Sequence, residues 1–513
     1  MVKIMLTKLT APSLMGRAGG GALLFLFLLS FAACDDYDSF TTDRSHTLRF
    51  SADTVTFDTL LTTVASSTQT LTVFNLGDKG LRIATVHLEG GAASPFRVNI
   101  DGQDMSRSEA NRVTDFEVRR RDSIMVRIEL TLPRAADDAP FAVDDGLVFT
   151  LESGVQQRVA LTAVGQNADF IQALVVRKDT TLTARRPIVI RDSLVVAHKA
   201  TLTLEAGTRL MFHDGAGLTV RGRLVARGTR EAPVVLRTDR TDRMFDYLPY
   251  DRLPSRWEGV RLAATSLDNE LDYVDLHGAK WGIACDSTGI DAGVKLTLTN
   301  SRLHFLGGDG LASDNCRLVV ANSEISNTLG HCVRLLGGDA RFTHCTLAQF
   351  YPLSALRGDA VNISFYNDSL GYQPLVRADF TNCVVTGYAE DVIIIPSLNA
   401  DDWPDEVRQL NPEVHYVFRS CFLATEVPEG EEYQACFLSC TYDAKEGDFT
   451  HEKNFQHFDS HDFLYDFTPV EGSGIRGIAD PTATQPWPQD RFGRSRLADG
   501  APDAGCYEFQ ATQ

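Results

Sequence analysis

The sequence predicts an all-β chain: an N-terminal β-sandwich, then a parallel β-helix, then a closing segment. Three observations carry this. Residues 294–425 repeat, as LTLTNSRL (296–303), LVVANSEI (318–325), ARFTHCTL (340–347), ADFTNCVV (378–385) and YVFRSCFL (416–423). Within each copy apolar residues alternate, the period of a strand with one buried face. Upstream, residues 47–164 break into short alternating runs between turn residues, with no helical spacing.

The repeat sets the architecture. Each copy ends in a small polar pair: Asn300-Ser301, Asn322-Ser323, His344-Cys345, Asn382-Cys383 and Ser420-Cys421. Successive pairs stand 22, 22, 38 and 38 positions apart, the longer step being one repeat with 16 further residues. A unit this short cannot bury its own apolar face, so the units must stack as a solenoid. Asn suits the bend between two faces of a coil, because its side chain bonds nearby backbone and tolerates a left-handed conformation. Ser and Cys fit where a bend leaves little interior room. Asn300, Asn322, His344, Asn382 and Ser420, flanked by Ser301, Ser323, Cys345, Cys383 and Cys421, are therefore read as a structural ladder along the axis. The long steps imply loops that leave the stack, or an extra strand near 361–366.

In chain order, residues 1–33 read as a secretion signal. Lys3, Lys8 and Arg17 precede an apolar stretch, 21–33, of 13 residues, too short for the ~20 that span a membrane. Its end, Ser30-Phe31-Ala32-Ala33-Cys34, resembles the cleavage site of bacterial lipoproteins. The resemblance implies that Cys34 becomes a lipidated N-terminus and that the chain reaches the membrane through that lipid. Asp35, Asp36 and Asp38 are similar to the surface-export signal of Bacteroidetes-type lipoproteins, which implies the outer membrane or cell surface. In enterobacteria an Asp there would favour the inner membrane, so the leaflet stays open. The same residues also suit a solvated tether over 34–46. The formal charge is −19, and losing the three basic residues of the signal makes it more negative. A chain of that sign lacks the basic footprint of a nucleic-acid binder. It suits a self-repelling surface protein, or one that gathers cations.

Residues 47–166 hold the sandwich, where Leu71 and Val73, then Leu81 and Ile83, alternate as half-buried strands do. The order of its pieces resembles Ig-like domains of bacterial surface proteins, which implies a spacer and carries no chemistry. The β-helix occupies 167–455. Its early coils, with Glu205-Ala206-Gly207-Thr208 and Arg221-Gly222-Arg223-Leu224 as turns and Trp257-Glu258-Gly259-Val260 beyond, resemble right-handed parallel β-helix proteins, the pectate-lyase-like solenoids. The resemblance implies a right hand, which parallel crossovers also favour. An insertion over 239–256, DRTDRMFDYLPYDRLPSR, interrupts the coils with charge and aromatic rings. The tail, 456–513, is similar at 471–475, 490–494 and 502–508 to the closing segment of bacterial surface β-helix proteins. It is expected to cap the last coil, whose strand edges would otherwise lie open. Cys506 stands where that family more often has Ala.

Many proteins of the resembling fold cleave acidic polysaccharides. Lyases use clustered Asp with calcium and an Arg or Lys base; glycosidases use paired carboxylates. Asp309, Asp339 and Asp359 are the carboxylates to weigh, but Asp309 and Asp339 do not share a slot of the repeat, and Gly-Gly-Asp is first a turn signal. His331-Cys332 and His344-Cys345 supply zinc-type ligands without zinc-type spacing. The sequence contains no phosphate loop, calcium nonapeptide or nucleophile elbow. No cofactor is expected, calcium being the one ion the Asp residues leave open. Cys436 and Cys440 are close enough to pair or to stay free.

Aromatic residues are the stronger lead. Tyr247, Tyr250 and Trp257 in or beside the insertion, Tyr351 and Tyr366 around the first long step, and Trp403 in the second are the candidate carbohydrate contacts. Sugar rings stack on such side chains beside a flat solenoid face; packing over the coils is the competing use. The expected function is non-catalytic binding or scaffolding at the cell surface, with a glycan or another surface protein as partner. A polysaccharide lyase or glycoside hydrolase is one alternative, and a plain adhesive spacer is another. Three adjacent carboxylates with a base in one groove would favour the enzyme; a groove of aromatics without them would favour binding.

Overall fold

The computed structural model describes residues 39–510, apart from 109, 246, 390, 400, 402, 411, 444–450 and 499. Cys34 and the acidic residues that follow it lie outside the described residues. Two compact units are present. The smaller joins the described residues up to Val55 to Thr68–Ile128 and Asp145–Leu161; the larger takes Thr56–Ser67, Glu129–Asp144 and the chain from Thr162 onward.

Residues 49–166 form two five-stranded sheets. One runs in the order Arg49–Phe50, Gln69–Asn75, Asp122–Leu130, Phe96–Ile100, Gln103–Asp104. The other runs Thr54–Leu61, Gln156–Gln166, Phe141–Leu151, Leu81–Leu88, Arg112–Val118. Alternation buries Leu71 and Val73 from the first and Leu81 and Ile83 from the second, where a bulge then brings Val86 to the same buried side. The sheets meet face to face, with the Phe50 and Phe149 rings 5.1 Å apart.

From Asp169 the strands pair in parallel, and each full coil gives one strand to each of three faces. The first face stacks Thr201–Glu205, Arg223–Arg227, Asn269–Asp272, Val294–Thr299, Arg317–Ala321, Gly338–Thr343, Leu375–Thr381 and Val414–Arg419. The second stacks Arg209–Phe212, Val234–Thr238, Val274–His277, Arg302–Leu306, Glu324–Thr328, Thr346–Gln349 and Val384–Gly387. The third stacks Gly217–Val220, Val260–Leu262, Ile283–Cys285, Leu311–Asp314, Val333–Leu336 and Val361–Ser364. This is a parallel β-helix, consistent with the right-handed coil expected from the sequence. Val361–Ser364 is therefore an ordinary third-face strand, and the added residues of the first long step are in loops on either side of it.

Register explains the core. Leu271, Leu298, Val320, Phe342, Phe380 and Phe418 are successive Cα partners on the first face, and all are buried. Parallel strands repeat every ~4.8 Å, so identical rings at one register position must stack. The Phe342–Phe380 and Phe380–Phe418 centroids are 4.6 and 4.7 Å apart, and Phe437 extends the pile at 5.2 Å.

The bend from first to second face holds the ladder. Asn300, Asn322, His344, Asn382 and Ser420 have φ of 49°, 51°, 50°, 57° and 49°. Tyr273, at φ 48°, takes the same bend one coil earlier. Its neighbour Val274 is not a small polar residue, which hid it from the sequence pattern. Inside the bend, the Ser301 amide donates to Ser323 Oγ at 3.1 Å and the Cys383 amide to Cys421 Sγ at 3.4 Å. Cys345, Cys383 and Cys421 are buried, and all nine described cysteines, Cys436 and Cys440 included, are free thiols.

The tail departs from expectation. It lies along the flank of the coils, on the bend and the outer side of the second face. Arg496 reaches Asn322, the Cys506 amide donates to Thr346, and the Tyr507 hydroxyl bonds Glu324. The polar outer positions of these strands supply hydrogen-bond partners that an apolar end-plug would not need. Cys506 is buried against Thr346, its Sγ 3.3 Å from Oγ1.

Candidate functional site: an arginine cleft beside the insertion

On the second face, Leu210, Leu236, Leu276 and Leu303 point into the core, so their neighbours face outward. The insertion leaves this face after Thr238. It forms a small hairpin, Arg243–Phe245 against Leu248–Pro249, then a tight turn, Tyr250–Arg252. That turn brings Asp251 to 3.1 Å from Arg237 on the strand below.

A cleft of about 530 Å³ opens here, lined among others by Arg209, Arg237, Arg243, Arg252, Asp58 and Asp251, all within the larger unit. Its two carboxylates are engaged: Asp251 with Arg237, and Asp58 with Arg243 at 3.4 Å. Arg209 donates to the Gln166 side chain at 3.1 Å, and Arg252 to the Asp462 carbonyl at 3.0 Å. Among the described residues neither has a carboxylate within ion-pair reach. Burial pulls the pKa of Arg209 below the ordinary arginine value, and the Arg237 charge adds to this. Burial does the same at Arg252; Asp251 returns part of the loss, Arg302 and Arg243 add to it, and Asp462 returns a little more. Guanidinium stays protonated regardless. The cleft therefore holds two half-buried cations with no carboxylate in ion-pair contact among the described residues, on a chain whose formal charge is −19.

The hairpin that supplies Arg243 also carries exposed rings. Phe245 and Tyr247 stack at 5.7 Å, and Tyr247 lies 4.6 Å from the His461 ring. Of the aromatic candidates, Tyr247 is exposed. Tyr250 is half-buried, with the Arg240 guanidinium 3.9 Å over its ring. Two candidates are corrected. Trp257 is buried, stacked on Phe212 at 4.4 Å with its Nε1 donating to the His277 carbonyl at 2.9 Å. Tyr351 is also buried. Trp257 belongs to the solenoid core and Tyr351 is covered, so neither offers a face to a sugar. Tyr366 is half-buried and bonds Glu406, and Trp403 is half-buried edge-on to Phe365 at 5.2 Å.

Asp309 and Asp339 are ion-paired, with Arg334 at 2.8 Å and Arg317 at 3.3 Å, while the Asp359 amide donates to His331 Nδ1 at 3.0 Å. His331 and His344 turn to different partners, Asp359 and Thr484, so they form no shared metal site.

Sequence reading missed a second constellation, Asp275, His277 and His304, on adjacent outward positions of the second face. His277 Nδ1 and His304 Nε2 lie 2.7 and 3.0 Å from the same Asp275 oxygen. Burial would raise the Asp275 carboxyl, but its interactions with His304 and His277 outweigh it and hold it well below the usual range. Burial and then the Arg302 charge bring His304 down to about 4, so its ring is neutral at pH 7. The available signal was register: Asp275 and His277 in one rung, Arg302 and His304 in the next, all at outward positions.

No protein-family model matches the chain, and no curated protein does. Solved structures give partial likenesses. The PapD-like domain 7 of human CEP192 aligns over 25% of this chain and 89% of its own, at 17% identity and TM-score 0.16. A family 28 exopolygalacturonase of Yersinia enterocolitica aligns over 72% of this chain and 81% of its own, at 8% identity and TM-score 0.25. A protein of unknown function from Porphyromonas gingivalis aligns over 29% of this chain and 59% of its own, at 17% identity and TM-score 0.16. Among the described residues no helix is long and apolar enough to cross a membrane.

Proposed function

We propose that this chain is a non-catalytic surface protein that binds an acidic saccharide, one bearing carboxylate or sulfate groups, in the arginine cleft. One observation carries the reading: Arg209 and Arg252 line the same cleft as half-buried cations without a carboxylate partner. An anion spanning them would gain charge-assisted hydrogen bonds in a site that water only partly screens. Phe245 and Tyr247, on the hairpin that delivers Arg243, supply apolar faces for a sugar ring. Hydrolysis by paired carboxylates needs one to hold a proton and the other to be open. Asp58 and Asp251 are each held by an arginine, which supports binding over cleavage. In this reading Cys34 would carry the lipid that anchors the protein at the outer membrane or cell surface.

The test is calorimetric titration of the chain lacking residues 1–33 with neutral, uronic-acid and sulfated oligosaccharides. Reducing-sugar and unsaturated-product assays run on the same samples. Binding confined to the acidic sugars, weakening with salt and releasing no product, is expected. Preference for neutral sugars would remove the role of the arginines, and product release would make the protein an enzyme.

A further inference from the structure

We propose that Asp275, His277 and His304 form a binding site for a divalent transition-metal ion of the zinc type. One ligand atom from each lies within 4.8 Å of the others. Two imidazole nitrogens and one carboxylate oxygen are ligands suited to such an ion, and they leave a fourth position for water or an added group. The scaffold is rigid. His277 and His304 are Cα partners on neighbouring rungs, and their rings pack at 4.9 Å.

The contacts to Asp275 turn one nitrogen of each ring toward a common point. Both point a nitrogen at one oxygen, Asp275 Oδ1. His304 is 7% exposed, yet its Nδ1 has no partner. The outer shell also fits. His277 Nε2 faces Asp251 Oδ2 at 3.9 Å, and Asp251 Oδ1 lacks a hydrogen-bond partner. At that distance Asp251 adds negative charge behind the imidazole without a direct hydrogen bond. Glu324, 2.9 Å from Arg302, offsets part of the nearby positive charge, and Asp275 supplies a negative one.

The experiment uses tag-free chain lacking residues 1–33, stripped with chelator and then loaded with zinc or cobalt(II). Metal retained after gel filtration is measured by mass spectrometry, and the cobalt form by visible absorption. One ion per chain is expected, with the intense visible bands of four- or five-coordinate cobalt. The double variant His277→Ala/His304→Ala should lose the ion. His461→Ala, in the exposed Asp459, His461, Asp462 cluster, should keep it. No retained metal, a weak six-coordinate cobalt spectrum, or undiminished uptake by the double variant would overturn the proposal. The wild-type spectrum decides the matter if the double variant fails to fold.

Discussion

Nε2 of His344 accepts a hydrogen bond from Nδ2 of Asn382 at 3.0 Å, one rung along the ladder. An amide NH₂ only donates, so this nitrogen must be bare, and the proton sits on Nδ1, 3.3 Å from the Gly505 carbonyl. The same Asn382 group reaches the Asp480 carbonyl at 3.1 Å. A neutral His344 is thus built into the contact between coil and tail.

That contact is acid-sensitive. Burial, and then the Arg496 charge, hold His344 well below its ordinary value of 6.5. The unfolded chain takes up a proton that the folded chain refuses. The contribution is therefore intact above pH 6.5 and is lost as pH falls below it. Urea midpoints at pH 7.5 and pH 5 should drop less for His344→Asn than for wild type. Equal drops would show that His344 is not the titrating group.

Arg496 is fully buried between Glu508 at 2.8 Å and Asn322 at 2.6 Å. Burial pushes the Glu508 carboxyl up to about 8, so Arg496→Ala strands buried polar groups more than a full charge and should cost about 1–3 kcal/mol. Arg496→Met, which fills the space, should cost less than Arg496→Ala. Denaturant melts measure both, and limited proteolysis should show the tail released first in the alanine variant.

Within the phenylalanine pile, position sets the cost. Phe380 has a ring on each side and no exposure, whereas Phe437 ends the pile half-buried. Phe380→Ala should cost about 3–5 kcal/mol, and Phe437→Ala clearly less. Equal losses would contradict this ranking of the pile by burial and stacking.

The solenoid was legible because its repeat repeats a physical need. Each rung must bury alternate residues and turn at a left-handed corner, and Asn300, Asn322 and Asn382 state that corner in plain text. Tyr273 occupies the same corner without the signature. The tail's path along the flank was not legible, because Arg496, Thr484 and Tyr507 find their partners 140 to 183 residues away. The cleft was half legible. The insertion drew notice for its charge and rings, yet Arg209 and Arg237 join it only through coil geometry. Aromatic content alone misled at Trp257 and Tyr351, since nothing local separates a ring that covers core from one that faces water.

That distinction is measurable. Trp257→Ala should destabilise by about 3–5 kcal/mol. Tyr247→Ala should change stability by less than about 0.5 kcal/mol, as an exposed substitution does, while weakening acidic-saccharide binding. Thermal melts paired with titration calorimetry separate the two effects.

The most direct measurement is the affinity of the double variant Arg209→Gln/Arg252→Gln for an acidic oligosaccharide, beside wild type and at two salt concentrations. Removing two half-buried cations that lack carboxylate partners should leave thermal stability unchanged or raised. Affinity should fall by tenfold or more, and most of its salt dependence should vanish. Unchanged affinity and salt response in a folded double variant would place the ligand elsewhere and contradict the arginine cleft as the binding site.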